Sequence, residues 1–190
     1  LKGEKTVPLD IGRLDFTATD GKPATRYFAN VCSFGVSGEV DKRVNTGSKA
    51  LGGKLSFMLG SARALLAYSD RNVRISLDGG PAEALKITTV AVANGRYFGG
   101  GMMIAPEASP SDGILDITIW SGYGLSDFIL KSKAIYEGSH VKLKGTRQAR
   151  CRRLEAHSDE EVLLDVDGEQ PGRLPCTIEI IPAAIRFKVA

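Results

Sequence analysis

Residues 162–172 of the chain read VLLDVDGEQPG. An apolar run typical of a buried strand leads directly into an Asp–Gly–Glu turn, in which Gly168 tolerates a tight bend. Asp167 and Glu169 are two residues apart, so they point to the same side of an extended chain. Such a pair can accept a proton or hold a cation, whereas an ordinary Asp–Gly hairpin turn would leave both carboxylates in water. The local pattern favours an ordinary hairpin turn, and a functional site formed by the two carboxylates remains the alternative.

Short apolar or alternating runs recur along the whole 190-residue chain, which also contains 22 glycines. The patterns predict strands at 7–16, 25–33, 72–77, 84–93, 114–120, 147–157, 162–167, 176–181 and 184–189. Turns at 20–23 and 78–81 predict two hairpins. Helical spacing predicts helices at 39–45, 54–68 and 126–136, the last with Ser126 as its N-cap and Gly138 as its stop. The fold class expected is therefore mainly β, a two-layer antiparallel β-sandwich with two or three appended helices.

The composition narrows the class of protein. A net charge of +3 gives no reason to expect a nucleic-acid partner, and no apolar run approaches the ~20 residues of a membrane span. Three cysteines without metal-ligand spacing indicate reduced thiols in a cytoplasmic protein. The basic residues form one local cluster, Arg147, Arg150, Arg152 and Arg153. A solvated strand face is the favoured interpretation of this cluster, and contact with anionic lipid headgroups is the alternative.

A second unusual stretch follows the strand predicted at 84–93. Residues 94–106 read NGRYFGGGMMIAP, in which three consecutive glycines allow close approach of the backbone to a ligand. Residues 107–114 then read EASPSDGI, a loop that could wrap a hard cation with carbonyl groups and one carboxylate. A plain turn explains the loop equally simply.

Several of these stretches together resemble the bacterial diacylglycerol kinase-like lipid kinases, in the superfamily that also holds sphingosine and ceramide kinases. The resemblance runs nearly end to end and keeps the order of the motifs. It rests on DIG at 10–12, YFAN at 27–30, NGRYFGGGM at 94–102, IAP at 104–106, SDGILD at 111–116, DGE at 167–169 with the Pro that follows, and EIIPAAIR at 179–186.

The resemblance implies a two-domain kinase in which residues 1–190 form only the C-terminal β-sandwich half. Such enzymes transfer the γ-phosphoryl group of ATP to a lipid hydroxyl with Mg²⁺, and ATP would be held by an N-terminal nucleotide-binding domain absent from this chain. The chain alone is therefore expected to be inactive. The implied location is the cytoplasm, with transient contact at a membrane surface; the oligomeric state is left open.

The resemblance also assigns roles to individual residues. It places the general base for the lipid hydroxyl on Glu169, with Asp167 close behind, and it implies a structural Mg²⁺ held by the carbonyl of Ser109, the carboxylate of Asp112 and the carbonyl of Ile114. From its place in the strand, two residues before Asp167, Asp165 is interpreted mainly as a solvent-facing position, and a supporting partner of the site is the alternative.

Two other functions remain open from the sequence. The first is a lipid- or membrane-surface binding module without catalysis, in which the arginine cluster would contact headgroups. The second is an enzyme similar to NAD kinases, which share the two-domain plan; residues 94–102 and the Asp–Gly–Glu turn fit the lipid kinases better.

Overall fold

A computed structural model describes residues 5–40 and 53–188 of the chain, with only the backbone of 53–59. The strands are β1 (Thr6–Ala18), β2 (Pro23–Phe28), β3 (Val31–Gly35), β4 (Arg71–Leu77), β5 (Glu83–Ile87), β6 (Thr89–Ala93), β7 (Tyr97–Phe98), β8 (Met102–Met103), β9 (Leu115–Trp120), β10 (Thr146–Cys151), β11 (Arg153–His157), β12 (Leu164–Val166) and β13 (Gly172–Lys188). The helices are α1 (Gly53–Ala67), α2 (Leu125–Leu130) and α3 (Ser132–Glu137), followed by a 3₁₀ turn at Ser139–Lys142.

Two antiparallel sheets face each other. Sheet A has the strand order β2-β1-β13-β11-β4-β5, and sheet B has the order β10-β9-β6-β3-β12. The main core lies between them, where Leu14 and Ile178 of sheet A meet Phe34 and Ile117 of sheet B. The β-sandwich predicted from the sequence is confirmed, including its appended helices.

Sheet B is covered on both faces. Along β6, Val90 and Val92 enter the core between the sheets, whereas Ala91 and Ala93 enter a second cluster on the outer face. This second cluster includes Phe128 of α2, together with residues of α3 and of the β7–β8 ribbon. Every residue of β3, β6, β9 and β12 is buried as a result. Double coverage explains why these strands read as continuous apolar runs rather than as alternating ones.

Three strands predicted as single elements are each two strands in different sheets. The run predicted at 25–33 divides into β2 and β3, 84–93 into β5 and β6, and 147–157 into β10 and β11. In each case the first and second halves pair with different sheets. The opposite error occurs at the end of the chain, where 176–181 and 184–189 belong to one strand, β13, which continues through Ala183 at φ 50°.

The predicted helices differ from the observed ones mainly at their ends. The prediction at 54–68 matches α1, and the segment at 126–136 is helical but divides into α2 and α3 at Lys131. The N-cap is Gly124 rather than Ser126, and the Asp127 carboxylate accepts a hydrogen bond from the Gly124 N–H. Gly138 ends α3 at φ 77°, as predicted. Residues 36–40 are helical, and the rest of the helix predicted at 39–45 lies outside the described residues.

All three cysteines are buried free thiols, as predicted. Across the described ranges 5–40 and 53–188, no helix combines the length and the apolar character that a membrane crossing requires.

Candidate active site

The Asp–Gly–Glu segment is a two-residue β-hairpin turn between β12 and the approach to β13. Val166 N–H donates to the Glu169 carbonyl at 2.8 Å, and Glu169 N–H donates to the Val166 carbonyl at 3.0 Å. Asp167 and Gly168 both have positive φ, 48° and 89°, which is the type I′ geometry that Asp–Gly favours. The hairpin and the candidate site therefore coincide, because the turn fixes where the two carboxylates stand.

Asp167 anchors the chain where it passes from sheet A to sheet B. Its carboxylate accepts backbone hydrogen bonds from Ala29 at 2.9 Å, Asn30 at 3.2 Å and Val31 at 2.9 Å. A carboxylate offers about four lone-pair positions, so three of them are engaged. These bonds tie the Asp167 carboxylate to the backbone between β2 and β3.

Glu169 is the more accessible of the two carboxylates. Its side chain is 68% exposed, and its Oε2 lies 2.5 Å from Nη1 of Arg26 on β2. The ion pair holds the carboxylate near the turn, and its exposure leaves it reachable by a hydroxyl group from outside.

Asp165 does not face solvent, which corrects the interpretation made from the sequence. It is 7% exposed and lies on the outer face of sheet B, beneath the helical layer. Its Oδ2 accepts a hydrogen bond from Ser33 Oγ at 2.8 Å, and its Oδ1 accepts one from Gly168 N–H at 2.9 Å. The period-2 pattern placed Asp165 on the correct face, but elements distant in sequence cover that face.

A mainly apolar cavity of ≈ 320 Å³ lies between the outer face of sheet B and the helical layer. Its apolar wall comes from α1, α2, the β7–β8 ribbon and β9, and it includes Leu65, Phe98, Met102, Trp120 and Phe128. Asp165, Asp167 and Gly168 also line it. Because Asp167 and Gly168 are exposed and Asp165 is buried, the cavity reaches the surface beside the turn.

The loop predicted to hold Mg²⁺ is organised by protein groups. The Asp112 Oδ1 accepts a hydrogen bond from Ile114 N–H at 3.1 Å, and its Oδ2 lies 2.7 Å from Nη2 of Arg150. Arg150 Nε is also 3.2 Å from Asp116 Oδ1. A guanidinium is therefore already paired with the carboxylate that the sequence assigned to a metal at Ser109, Asp112 and Ile114. Metal binding there stays a prediction.

Buried Asp10 fixes the same loop from the opposite side. Its Oδ2 accepts a hydrogen bond from Gly113 N–H at 2.7 Å, and its Oδ1 accepts one from Ala183 N–H at 2.7 Å. Its own N–H donates to the Pro110 carbonyl at 2.8 Å. The loop is therefore tied to β1 and β13 by its backbone.

The turn and the loop lie at the same end of sheet B but do not form one site. Strands β3 and β6 separate β12, which precedes the turn, from β9, which follows the loop. At a spacing of about 4.8 Å per strand, the two lie about 14 Å apart across the sheet. Of the residues predicted from the sequence, Asp167 and Glu169 lie together at the turn. Ser109, Asp112 and Ile114 lie on the loop, away from that turn.

The basic cluster is largely paired within the protein. Arg147 makes two contacts of 2.6 Å with the Glu83 carboxylate, Arg150 binds Asp112 and Asp116, and Arg153 lies 2.7 Å from Glu155. These pairs account for three of the four arginines, which lie on two strands of different sheets and not on one strand face.

Asn94 begins the unusual stretch at 94–106, but the sequence assigned it no role of its own. It is buried, and its Nδ2 donates to the carbonyls of Asp10 at 3.0 Å and Ala29 at 2.8 Å. Asn30 in turn donates from Nδ2 to the Tyr97 carbonyl at 2.8 Å. Both amides bind the backbone that surrounds the turn. An Asn directly after a buried strand was the available signal, since a buried amide needs partners of its own.

The family model that the chain matches and the relatives found by sequence agree with each other. Residues 30–189 match the family model described as the YegS C-terminal NAD kinase beta sandwich-like domain. A diacylglycerol kinase of Mycobacterium tuberculosis is 26% identical over 181 residues, which are 95% of this chain and 57% of that protein. The chain thus spans a little over half the length of this relative.

Solved structures share the fold. A diacylglycerol kinase structure from Bacillus anthracis superposes with a TM-score of 0.60 at 20% identity, covering 96% of this chain and 54% of that one. The yeast NADH kinase complexed with NADH superposes with a TM-score of 0.50 at 13% identity, covering 93% and 41%. At these identities the likeness concerns the fold alone.

Proposed function

The chain belongs to the family of YegS C-terminal NAD kinase beta sandwich-like domains, and from this membership we propose that it is the lipid-binding half of an ATP-dependent lipid kinase. In the proposed reaction, the terminal phosphoryl group of ATP passes to a lipid hydroxyl such as that of diacylglycerol. The relative named diacylglycerol kinase supports the assignment. The observation that carries it is the position of the Asp–Gly–Glu turn at the surface end of an apolar cavity.

The cavity suits the alkyl part of a lipid. Its volume of ≈ 320 Å³ is at the lower end of the range for small-molecule sites, and its wall is mainly aliphatic and aromatic. An alkyl chain inside it would leave the attached hydroxyl at the exposed end, near Asp167 and Gly168. Burial of the chain would hold that hydroxyl in place while transfer occurs.

Glu169 is the proposed proton acceptor. As the hydroxyl oxygen forms its bond to the γ-phosphorus, the bond from that phosphorus to the β-phosphate oxygen breaks, and the hydroxyl proton passes to the Glu169 carboxylate. Arg26 orients Glu169 through their ion pair. Asp167 is proposed to fix the turn, because its carboxylate already holds three backbone N–H groups.

ATP and its Mg²⁺ are proposed to lie on a separate nucleotide-binding domain of the complete protein. Phosphoryl transfer depends mostly on positioning and charge stabilisation, so a base on one domain can serve a nucleotide held by another. The proposed location is the cytoplasm, with transient contact at the membrane that holds the acceptor. No step depends on a metal at the Ser109–Ile114 loop.

Turnover by the full-length protein that contains this chain tests the assignment. ADP release is measured with a dispersed diacylglycerol, with and without the substitution Glu169→Gln. We expect kcat to fall about 100-fold or more, since a general base contributes about that much. Glu179→Gln, an exposed glutamate on β13, is the matched control and should retain activity.

Two results would change the proposal. If Asp167→Asn abolishes turnover in a folded protein while Glu169→Gln does not, the two residues exchange roles. If the full-length protein phosphorylates NAD and no lipid, the function is that of the NAD kinase-like alternative.

A further inference from the structure

The helical layer carries exposed apolar side chains on its outer surface. Leu130 is 83% exposed, the highest value among the large apolar side chains that the structure describes, and Ile129 beside it is 61% exposed. Leu66 of α1, which packs against α2, is 71% exposed. Single exposed apolar residues are common on protein surfaces, whereas three on neighbouring helices indicate a surface that meets a partner. We call these three residues the apolar patch.

The apolar patch lies on the outside of the cavity wall. Leu65 of α1 and Phe128 of α2 line the cavity. Leu66 and Ile129 directly follow them in the same helices but are exposed. The two helices therefore present apolar side chains both to the cavity and to the outside. A helix that only covers a core needs one apolar face, so the outer residues call for a separate explanation.

Positive charge accompanies the apolar patch. Residues 121–146 contain four lysines and two acidic residues, a net charge of +2 with histidine neutral. The Lys133 side chain is 85% exposed and lies 3.9 Å from Glu137, at the limit of an ion pair. Lys142 and Lys144 are exposed, and neither forms an ion pair with any residue in the described ranges. Exposed ammonium groups of this kind attract anionic lipid headgroups.

The Tyr123 ring brings basic residues next to the apolar patch. Nζ of Lys131, which directly follows Leu130, lies 4.1 Å from the centroid of this ring. The backbone at Gly145 packs so closely on the same ring that a Cβ there would lie 3.0 Å from one of its atoms. The segment that ends in Lys144 therefore lies beside the end of α2.

From the apolar patch, the lysines beside it and its position on the cavity wall, we infer that the helical layer docks onto an anionic lipid bilayer through Leu66, Ile129 and Leu130. The inference rests on the proposed function and names the surface through which the protein reaches its acceptor lipid. The apolar side chains would enter the acyl region while the lysines meet lipid phosphates, as in helices that lie in a membrane interface. The arginine cluster is not required for this contact, since it is largely paired within the protein.

A second exposed apolar surface provides a matched comparison. Ile185 and Phe187 on β13 are 43% and 53% exposed, and they stand next to the basic residues Arg186 and Lys188. Strand β13 belongs to sheet A, whereas the cavity lies on the outer face of sheet B, and neither residue lines it. The two surfaces thus have similar chemistry, but only the apolar patch belongs to the wall of the proposed lipid site.

A fluorescent label on the full 190-residue chain tests the surface directly. Leu130→Cys and, in a separate protein, Phe187→Cys are labelled with an environment-sensitive fluorophore in native buffer, where the three natural cysteines are buried. Vesicles of phosphatidylcholine, alone or mixed with phosphatidylglycerol, are then added. We expect the emission of the label at position 130 to shift to the blue with the anionic vesicles, and less with phosphatidylcholine alone. A blue shift at position 187 and none at position 130 would overturn the inference.

Co-sedimentation with the same vesicles measures the affinity. Ile129→Ser combined with Leu130→Ser should weaken binding about tenfold or more, because two apolar side chains no longer leave water. Phe187→Ser should bind like the unmodified chain. Lys133→Gln combined with Lys144→Gln should weaken binding and reduce its dependence on salt, which screens exposed charges. Equal binding by all of these variants would contradict docking through the helical layer.

ADP release by the full-length protein separates this inference from the proposed function. If that protein phosphorylates dispersed diacylglycerol while the chain binds no vesicle even at low salt, the inference is wrong and the proposed function stands. If the chain docks through position 130 while the full-length protein phosphorylates no lipid, the surface stands and the proposed function is wrong. Self-association that is lost in the variant with serine substitutions at 129 and 130, without vesicle binding, would assign the patch to a second copy and overturn the inference.

Discussion

Arg150 holds two carboxylates together at the start of β9. Asp116 is almost fully buried, and burial raises its pKa, while the charge of Arg150 acts in the opposite direction and the nearby Asp112 adds to the rise. The guanidinium therefore offsets part of the repulsion between Asp112, on the loop where the family resemblance implies a metal, and Asp116 of β9. A single positive side chain can take the place of a cation in this way, provided that it reaches both acids.

Removal of this guanidinium gives a prediction at the scale of one residue. Arg150→Gln should lower the free energy of unfolding by roughly 1–3 kcal/mol, because it leaves Asp112 and buried Asp116 without their charged partner. Millimolar Mg²⁺ should recover part of the loss in the variant and leave the unmodified chain unchanged. Urea unfolding with Mg²⁺ or with EDTA measures both effects.

The matched control lies on the same strand. Arg147→Gln removes an exposed ion pair with Glu83 and should cost less than about 1 kcal/mol, with no response to Mg²⁺. If the unmodified chain is itself stabilised by Mg²⁺ and destabilised by EDTA, the loop binds metal in solution and Arg150 does not replace it.

At the scale of elements, the passage of a strand from one sheet to the other was the feature that the sequence pattern missed. The inward-facing core residues run 85, 87, 90, 92 across β5 and β6. They run 149, 151, 154, 156 across β10 and β11. A continuous strand requires a spacing of two throughout, so the spacing of three marks the crossing. Strand type was predictable from local alternation, whereas the sheet to which each half belongs depends on distant partners.

The candidate site likewise has features that could be predicted from the sequence and features that could not. The Asp–Gly–Glu turn could be located from the sequence because turn chemistry is local. The burial of Asp165 and the pairing of Arg150 with Asp112 could not, because they depend on segments brought together only by the fold.

The passage of the chain from β5 to β6 gives a prediction at the scale of an element, because Gly35 packs against it. Gly35 ends β3 with φ 110°, and a Cβ there would lie 2.5 Å from the Thr88 carbonyl oxygen, at the crossing from β5 to β6. Gly35→Ala should therefore cost more than about 3 kcal/mol or prevent folding. Gly79→Ala shares a positive φ but meets no atom within 4 Å, so it should cost about 1 kcal/mol. Similar unfolding midpoints for the two variants in urea would contradict the clash.

The helical layer should weaken in acid because of His140. This residue is fully buried against the edge of the Trp120 ring, with 5.5 Å between the ring centroids, and burial lowers its pKa below the ordinary value near 6.5. The unfolded chain then binds a proton more readily than the folded one. Stability due to this residue is therefore complete above about pH 6.5 and is lost as the pH falls below it, by up to about 1.4 kcal/mol per pH unit.

Comparison of variants isolates this contribution from that of the carboxylates. His140→Phe should flatten the slope of stability against pH between about pH 7 and 5.5, and His157→Gln, an exposed histidine on β11, should keep it. Chemical unfolding at a series of pH values gives the slopes. Equal slopes in all three proteins would show that His140 is protonated without cost in the folded state.

For the whole molecule, the three thiols report on the separation of the two sheets. Cys32 and Cys151 belong to sheet B and Cys176 to sheet A, and all three lie in the core between them. Burial raises the pKa of Cys151 and of Cys176 to about 12 and raises that of Cys32 strongly, so almost no thiolate is present at neutral pH. Labelling by a thiol reagent should therefore require opening of the sandwich, and all three sites should label at one common rate that rises with urea. Faster labelling of one cysteine in native buffer, as resolved by mass spectrometry of the peptides, would mean that its sheet opens locally without the other.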